Sequence, residues 1–153
     1  MRFSPTFFGI GGIAINPRTR TRLLEAIQKR AEALGIVQDV LLEVNIGGEE
    51  SKSGVAPEAL WALLETAEAL ENLRVTGLMA IPPADLSEDD ARRAFAAMRE
   101  LFEKAACRGY ARARMEVLSM GMSDDFAAAI LEGSTMVRVG TAIYGARCYP
   151  PKG

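Results

Sequence analysis

The sequence predicts an α/β fold in one domain, with parallel strands separated by helices. Three observations lead there. Short apolar, β-branched runs alternate with longer amphipathic helical patterns. The helical stretches are long enough to carry the chain back for parallel pairing through right-handed crossovers. No linker, charge run or low-complexity segment divides the 153 residues, a length that suits one core.

The elements follow in order. Residues 1–20 form an atypical opening segment. Its run "FFGIGGIAI" is too short to span a bilayer, and no small-x-small cleavage site accompanies it. Within it, "GIGGIA" formally fits a dinucleotide fingerprint, which requires a preceding strand and a helix opening in the glycine turn. Pro5 interrupts the approach and the helix starts only after Asn16, so an irregular or edge strand is the better reading. A helix then runs from Pro17 to Gly35.

"DVLLEVNIG" is apolar and bounded by Gly47 and Gly48, the pattern of a buried strand. The next helix opens at Pro57 and carries Leu60, Leu63, Leu64, Ala67 and Leu70 at three-four spacing. "RVTGLMAI" is a second strand, stopped by Pro82 and Pro83. Ser87 reads as an N-cap with Asp90 as its capping-box-like acid. Ala91, Phe95, Met98, Leu101, Phe102 and Ala105 make the buried side of that helix, and Gly109 ends it. "MEVLSMG" is a third strand. Ser123 caps a short helix through Leu131, closed by Gly133, and "TMVRVGTAIYG" reads as the last strand.

Units of this kind close into a barrel or spread into an open doubly wound sheet. A full (β/α)8 barrel needs about 250 residues, so a barrel here would be partial. In both architectures a ligand site lies at the carboxyl ends of the strands. Those ends are Asn45 with Gly47 and Gly48, Met79 to Pro83, Ser119 to Ser123, and Gly140 to Tyr144.

Composition narrows the function. Apolar residues are 49% and charged residues 25%, the balance of a globular protein. A formal charge of −2 argues against a nucleic-acid surface. There is no His, which removes the usual general base, the commonest metal ligand and any Ser-His-Asp triad. Cys107 and Cys148 have no ligand-like spacing and read as free thiols of a reduced cytoplasm. No metal, membrane or nucleic-acid partner is expected.

Three polar stretches at strand ends have two readings each. "EESKSG" (49–54) is a solvated loop, or its Lys52 contacts an anion or serves as an amine nucleophile. "SMGMSDD" (119–125) is a helix cap, or it offers hydroxyls and N–H groups to a phosphate. Asp124 and Asp125 would repel a dianion at the helix start, so a phosphate belongs beside Ser119 and Gly121. In "VRVGT" (137–141), Arg138 is a salt-bridged residue at a sheet margin, or a ligand contact. An unpaired charge between two valines is costly to bury. Gly140 permits close approach, and Thr141 adds a hydroxyl.

Together "LLEVNIGGEESKSG", "GLMAIPP" and "LSMGMSDDFAAAILEGSTMVRVGTAIYGAR" resemble the pyridoxal 5'-phosphate (PLP) homeostasis proteins, from about Leu23 to Tyr149. The resemblance implies the carboxy-terminal half of a TIM-type, alanine-racemase-like barrel, incomplete in residues 1–153. It implies a cytoplasmic, non-catalytic PLP-binding protein of vitamin B6 balance. By the same resemblance, Ser119, Ser123, Gly140 and Thr141 correspond to phosphate-binding loops, and Arg138 to the Arg facing the pyridine nitrogen. Asn45 and Met79 would line the pocket floor. An Arg in that place donates to the ring nitrogen and keeps it unprotonated, which weakens the ring as an electron sink.

The chain departs from the family at its start. "MRFSPTFFGIGGIAINPRTRT" matches poorly, and no Schiff-base lysine aligns in it. The expectation is a truncated family member that binds PLP non-covalently. The alternatives are a non-binding half barrel that self-associates through exposed edges, and a racemase using Lys52 and Tyr144. Neither of those two residues matches a catalytic position of that class.

Overall fold

The computed structural model describes residues 8–9, 17–49 and 53–145. Lys52, Cys148, Tyr149 and most of the "GIGGIA" run lie outside the described residues. The elements are β1 (Phe8–Gly9), α1 (Pro17–Ala33), β2 (Gln38–Val44), α2 (Leu60–Glu68), β3 (Leu73–Ala80) and α3 (Glu88–Cys107). They continue with β4 (Val117–Met122), α4 (Phe126–Leu131), β5 (Met136–Arg138) and α5 (Thr141–Tyr144). A 3-10 turn at Pro57–Ala59 leads into α2.

The described strands form one sheet in the order β1-β2-β3-β4-β5, and every pairing is parallel. Each strand is added on the same side as the last. A doubly wound sheet would reverse direction and place helices on both faces; this sheet does not. The core confirms the winding. Val40, Leu42, Val44, Val75, Leu78, Ala80, Leu118 and Met120 share one cluster with Leu24 of α1, Leu60 and Leu64 of α2, Phe95 of α3 and Ala129 of α4. Helices α1 to α4 therefore cover one face, the arrangement of a barrel wall that is not closed.

The helices form where capping and periodicity direct them. Ser87 accepts from the Asp90 amide at 3.2 Å and donates to its carboxylate, which starts α3 as a capping pair. Ala91, Phe95, Met98 and Ala105 are buried along one side of α3. In α2 the buried residues are Leu60, Leu63, Leu64 and Ala67, as the spacing predicts, while Leu70, expected with them, lies past the helix end and is half-buried.

Two bulges shape the sheet. Between Val40 and Leu41 the register with β3 shifts by one residue, so Val40 faces Val75 while Leu41 faces Gly77. Thr76 is the extra residue. It changes the parity of β3: Leu73 and Val75 face the helices before it, Leu78 and Ala80 after it. Met79 thereby turns to the opposite face. The second shift lies between Ser119 and Met122 in the pairing of β4 with β5. Gly121 occupies it at φ 92°, where a Cβ would come within 2.6 Å of the Ala129 Cβ.

The end of the chain differs from the sequence expectation. The strand expected through Gly145 stops at Arg138, and Thr141–Tyr144 turn into α5. The cause is the absence of a ladder to bond to. The pairing of β4 with β5 ends at Met122 and Arg138, so the backbone beyond closes on itself, with the Ile143 and Tyr144 amides donating to the Gly140 carbonyl.

Candidate functional site

With the helices on one face, the other face displays what the strands turn away from the core. Leu41, Glu43, Thr76, Met79 and Ser119 are buried, yet none belongs to the helix-side cluster. Three of them form a single rung. Glu43 of β2 is in register with Met79 of β3, and Met79 with Ser119 of β4. Side chains in register on parallel neighbours point the same way, so the rung reads acid, thioether, hydroxyl across three strands.

Arg138 closes the hydroxyl end. Its Nη1 donates to the Ser119 Oγ at 2.7 Å and the Ser119 carbonyl at 3.1 Å. Its Nη2 donates to the Ala80 carbonyl at 3.0 Å. No carboxylate pairs with it among the described residues, so the salt-bridge reading of Arg138 does not hold. Burial pulls the guanidinium below its usual pKa, opposed by the attraction of the Glu43 and Asp125 carboxylates nearby. The group remains a cation, held by oxygen acceptors on β3 and β4 with N–H capacity left over.

Glu43 stands at the acid end. Its residue is 6% exposed. The loop after β2 folds back, the Val55 amide donating to the Glu43 carbonyl at 2.8 Å. This return brings Ser53 to donate from Oγ to Glu43 Oε1 at 2.6 Å. The other oxygen, Oε2, is buried and has no hydrogen-bond partner among the described residues. Gly54 permits the return, because a Cβ there would meet the Asn45 amide nitrogen at 2.5 Å.

A second cluster lies at the strand ends. Ser123 Oγ accepts from the Gly140 and Ala142 amides, each at 3.2 Å. Ser123 therefore does not cap α4, contrary to one sequence reading. Asp125 occupies the cap position without a side-chain cap bond, and its carboxylate accepts from the Met122 amide at 2.6 Å. With two hydrogen bonds accepted, the Ser123 hydroxyl retains its proton to donate outward. Gly140 and Thr141 beside it are exposed.

The expected site residues thus divide into two groups. Met79, Ser119 and Arg138 meet on the rung, whereas Ser123, Gly140 and Thr141 meet at the mouth. Asn45 borders the rung but directs its Nδ2 to the Glu49 carbonyl at 2.7 Å. Sequence reasoning missed Glu43 and Ser53. The signal for Glu43 was present, since an acid inside "LLEV" is as anomalous as an Arg inside "VRV". Among the described residues, no group of three acids or thiols gathers as a metal site, and no helix is long and apolar enough to cross a membrane.

Comparison with known proteins adds a family context. The family described as alanine racemase, N-terminal domain, matches residues 19–148. The pyridoxal phosphate homeostasis protein of Aquifex aeolicus is 49% identical over 137 residues, which cover 90% of this chain and 59% of that protein. Its counterpart in Pseudomonas aeruginosa is 50% identical over 111 residues, covering 72% of this chain and 46% of that protein. The chain spans about half the length of the curated relatives it matches. Among solved structures, PipY of Synechococcus elongatus with PLP bound superposes with a TM-score of 0.74 at 27% identity, covering 86% of this chain and 67% of that one. An alanine racemase of Clostridium difficile, at 21% identity and TM-score 0.61, shares the fold, covering 86% of this chain and 33% of that one.

Replacing Ser123 by Ala removes the acceptor of two backbone amides without touching the core. The expected loss of global stability is about 1 kcal/mol, with amide exchange of Gly140 and Ala142 accelerated by roughly tenfold. Unchanged exchange at both amides, read by NMR, would show that Ser123 does not organise this loop.

Proposed function

Because the chain belongs to the alanine racemase N-terminal domain family, we propose that it binds PLP non-covalently and acts as a cytoplasmic, non-catalytic PLP homeostasis protein. The observation that carries this reading is Arg138, a half-buried cation fixed by Ser119 and Ala80 rather than by a carboxylate. Such a group has hydrogen-bond donors to spare, and among the described residues no carboxylate takes them. The names of the relatives, and the PLP held by PipY, support the same ligand.

Each residue then has a role. Arg138 donates to the pyridine nitrogen, and because guanidinium does not release its proton, the nitrogen stays an unprotonated acceptor. Ser119 acts through Arg138, fixing its direction with a 2.7 Å hydrogen bond. Met79 would face the ring, its soft sulfur a favourable partner for an aromatic face. At the mouth, Ser123 and Thr141 donate hydroxyl protons to the phosphate, and Gly140 allows it to come close to the backbone. Asn45 borders the ring side.

Bound PLP supplies an electron-withdrawing ring, whose strength as a sink depends on protonation of its nitrogen. An Arg partner leaves that sink weak, in keeping with storage or delivery rather than racemisation. Tyr144, the described candidate for racemase acid-base work, is 88% exposed, which does not suit a proton-transfer role inside a closed site.

Self-association is a second part of the reading. The open wall leaves strand edges, and Leu131, Ile143 and Tyr144 beside β5 are 70%, 67% and 88% exposed. Sedimentation equilibrium is expected to show dimers at micromolar concentration; a monomer that binds no hydrophobic dye contradicts this part alone.

Equilibrium titration tests the ligand. PLP is expected to bind saturably. Arg138→Ala should weaken binding by at least about tenfold, as loss of a charge-assisted hydrogen bond, and Thr141→Val by roughly threefold to tenfold. An affinity that neither substitution alters would mean that PLP binds elsewhere.

A further inference from the structure

Strand β5 carries Arg138, yet its own ladder to β4 is slight. The two strands are in register at Ser119 with Met136 and at Met122 with Arg138, and the register shifts in between. A strand of three residues paired across such a shift is weakly fixed by backbone bonds alone. Where the Arg138 guanidinium points depends on where β5 lies, and side chains supply what the ladder lacks.

Those side chains belong to Ser134 and Thr135, the two residues before β5. The Ser134 Oγ stands 2.8 Å from the Met120 carbonyl, 3.0 Å from that of Met136 and 3.3 Å from that of Leu118. Its one proton is thus shared among acceptors on both strands, with the shortest contact inside the shift itself. Thr135 takes hold of Leu118 twice. Its amide donates to the Leu118 carbonyl at 3.0 Å, and its Oγ1 accepts from the Leu118 amide at 2.8 Å. The Thr135 hydroxyl therefore fills the place that a neighbouring carbonyl has in an unbroken ladder. The pair is anchored from behind as well, the Ser134 amide donating to the Ala129 carbonyl of α4 at 2.9 Å.

The residues of β4 that are gripped decide what the grip does. Leu118 and Met120 are the immediate neighbours of Ser119, and Ser119 receives Nη1 of Arg138 at both its hydroxyl and its carbonyl. The start of β5 is thus fixed against the same point on β4 on which the Arg138 side chain rests.

We propose that Ser134 and Thr135 are positioning residues of the ligand site: they lock β5 onto β4 beside Ser119 and so aim the Arg138 guanidinium at the ring nitrogen. They act through Arg138 and make no contact with the ring. This inference rests on the binding reading above. Without either hydroxyl, β5 is free to slide within the shift, and the Arg138 fork loses its alignment with Ser119 and Ala80.

The test is calorimetric titration of the full chain with PLP for Ser134→Ala, Thr135→Val and Thr135→Ser, alone and combined with Arg138→Ala. Ser134→Ala and Thr135→Val are each expected to weaken binding by roughly threefold to tenfold, as a charge-assisted hydrogen bond loses its aim. Thr135→Ser keeps the Oγ and should stay within about twofold of the native affinity. In the Arg138→Ala background the effect of Ser134→Ala should shrink below about twofold, because no guanidinium is left to aim. A purely structural role would lower the melting temperature and leave the affinity of the folded proteins alone. Native affinity in folded Ser134→Ala and Thr135→Val overturns the proposal, as does a loss of equal size with and without Arg138. Should Ser134→Ala fail to fold, Thr135→Val set against Thr135→Ser carries the decision. Saturable PLP binding that depends on Arg138 but on neither of these residues removes only this inference; no binding by the native chain removes the binding reading as well.

Discussion

The architecture rests on winding in one direction. Each described strand is laid parallel to and beside its predecessor on the same side, so the crossover helices can only stack on one face of the sheet. That face becomes the apolar core around Phe95, Leu64 and Leu78. Among the described residues, none of these helices packs on the other face. On it the strands place Glu43, Thr76 and Ser119, which are buried, and Arg138, which is half-buried. Polar groups in such a place persist only where hydrogen bonds or a ligand compensate their desolvation.

Arg138 illustrates how the balance is struck. Arg138 is half-buried, so its guanidinium gives up part of its hydration, which has a cost. Three hydrogen bonds from a charged donor, each worth about 1.5–3 kcal/mol, can offset that cost. They also tie the short strand β5 to β3 and β4, since their acceptors are Ala80 and Ser119. Positioning the cation and attaching the last strand are thus one interaction. A carboxylate partner would have neutralised the charge; carbonyl and hydroxyl acceptors leave it available. The Glu43 end is less complete: among the described residues one oxygen is served and one is not.

Much of this was legible from residues. Ser87, Pro57, Gly35 and Gly109 mark helix ends by local chemistry, and local chemistry decided them. Arg138 was found because a charge between valines demands a reason. The failures share one cause: they depend on neighbours far away in sequence. "TAIYG" has strand composition, yet β4 offers no backbone beyond Met122, so it coils into α5. Ser123 has the composition of a cap, yet its hydroxyl accepts from the Gly140 and Ala142 amides and the cap position of α4 falls to Asp125. The parity change at Thr76 is invisible in "RVTGLMAI", because alternation alone cannot show which residue the partner strand skips. Glu43 went unremarked although its signal equalled that of Arg138; only the unpartnered oxygen distinguishes it from an ordinary charged residue at a strand end. The phosphate cluster was assembled by resemblance, and geometry divides it, placing Ser119 with Arg138 and Ser123 with Gly140.

A crystal structure of the chain soaked with PLP tests the central claim most directly. The account predicts the ring over Met79, its nitrogen within hydrogen-bond distance of an Arg138 nitrogen, and its phosphate against Ser123, Gly140 and Thr141. A ring bound away from the rung, or a phosphate lodged elsewhere with Arg138 still joined only to Ser119 and Ala80, would contradict it.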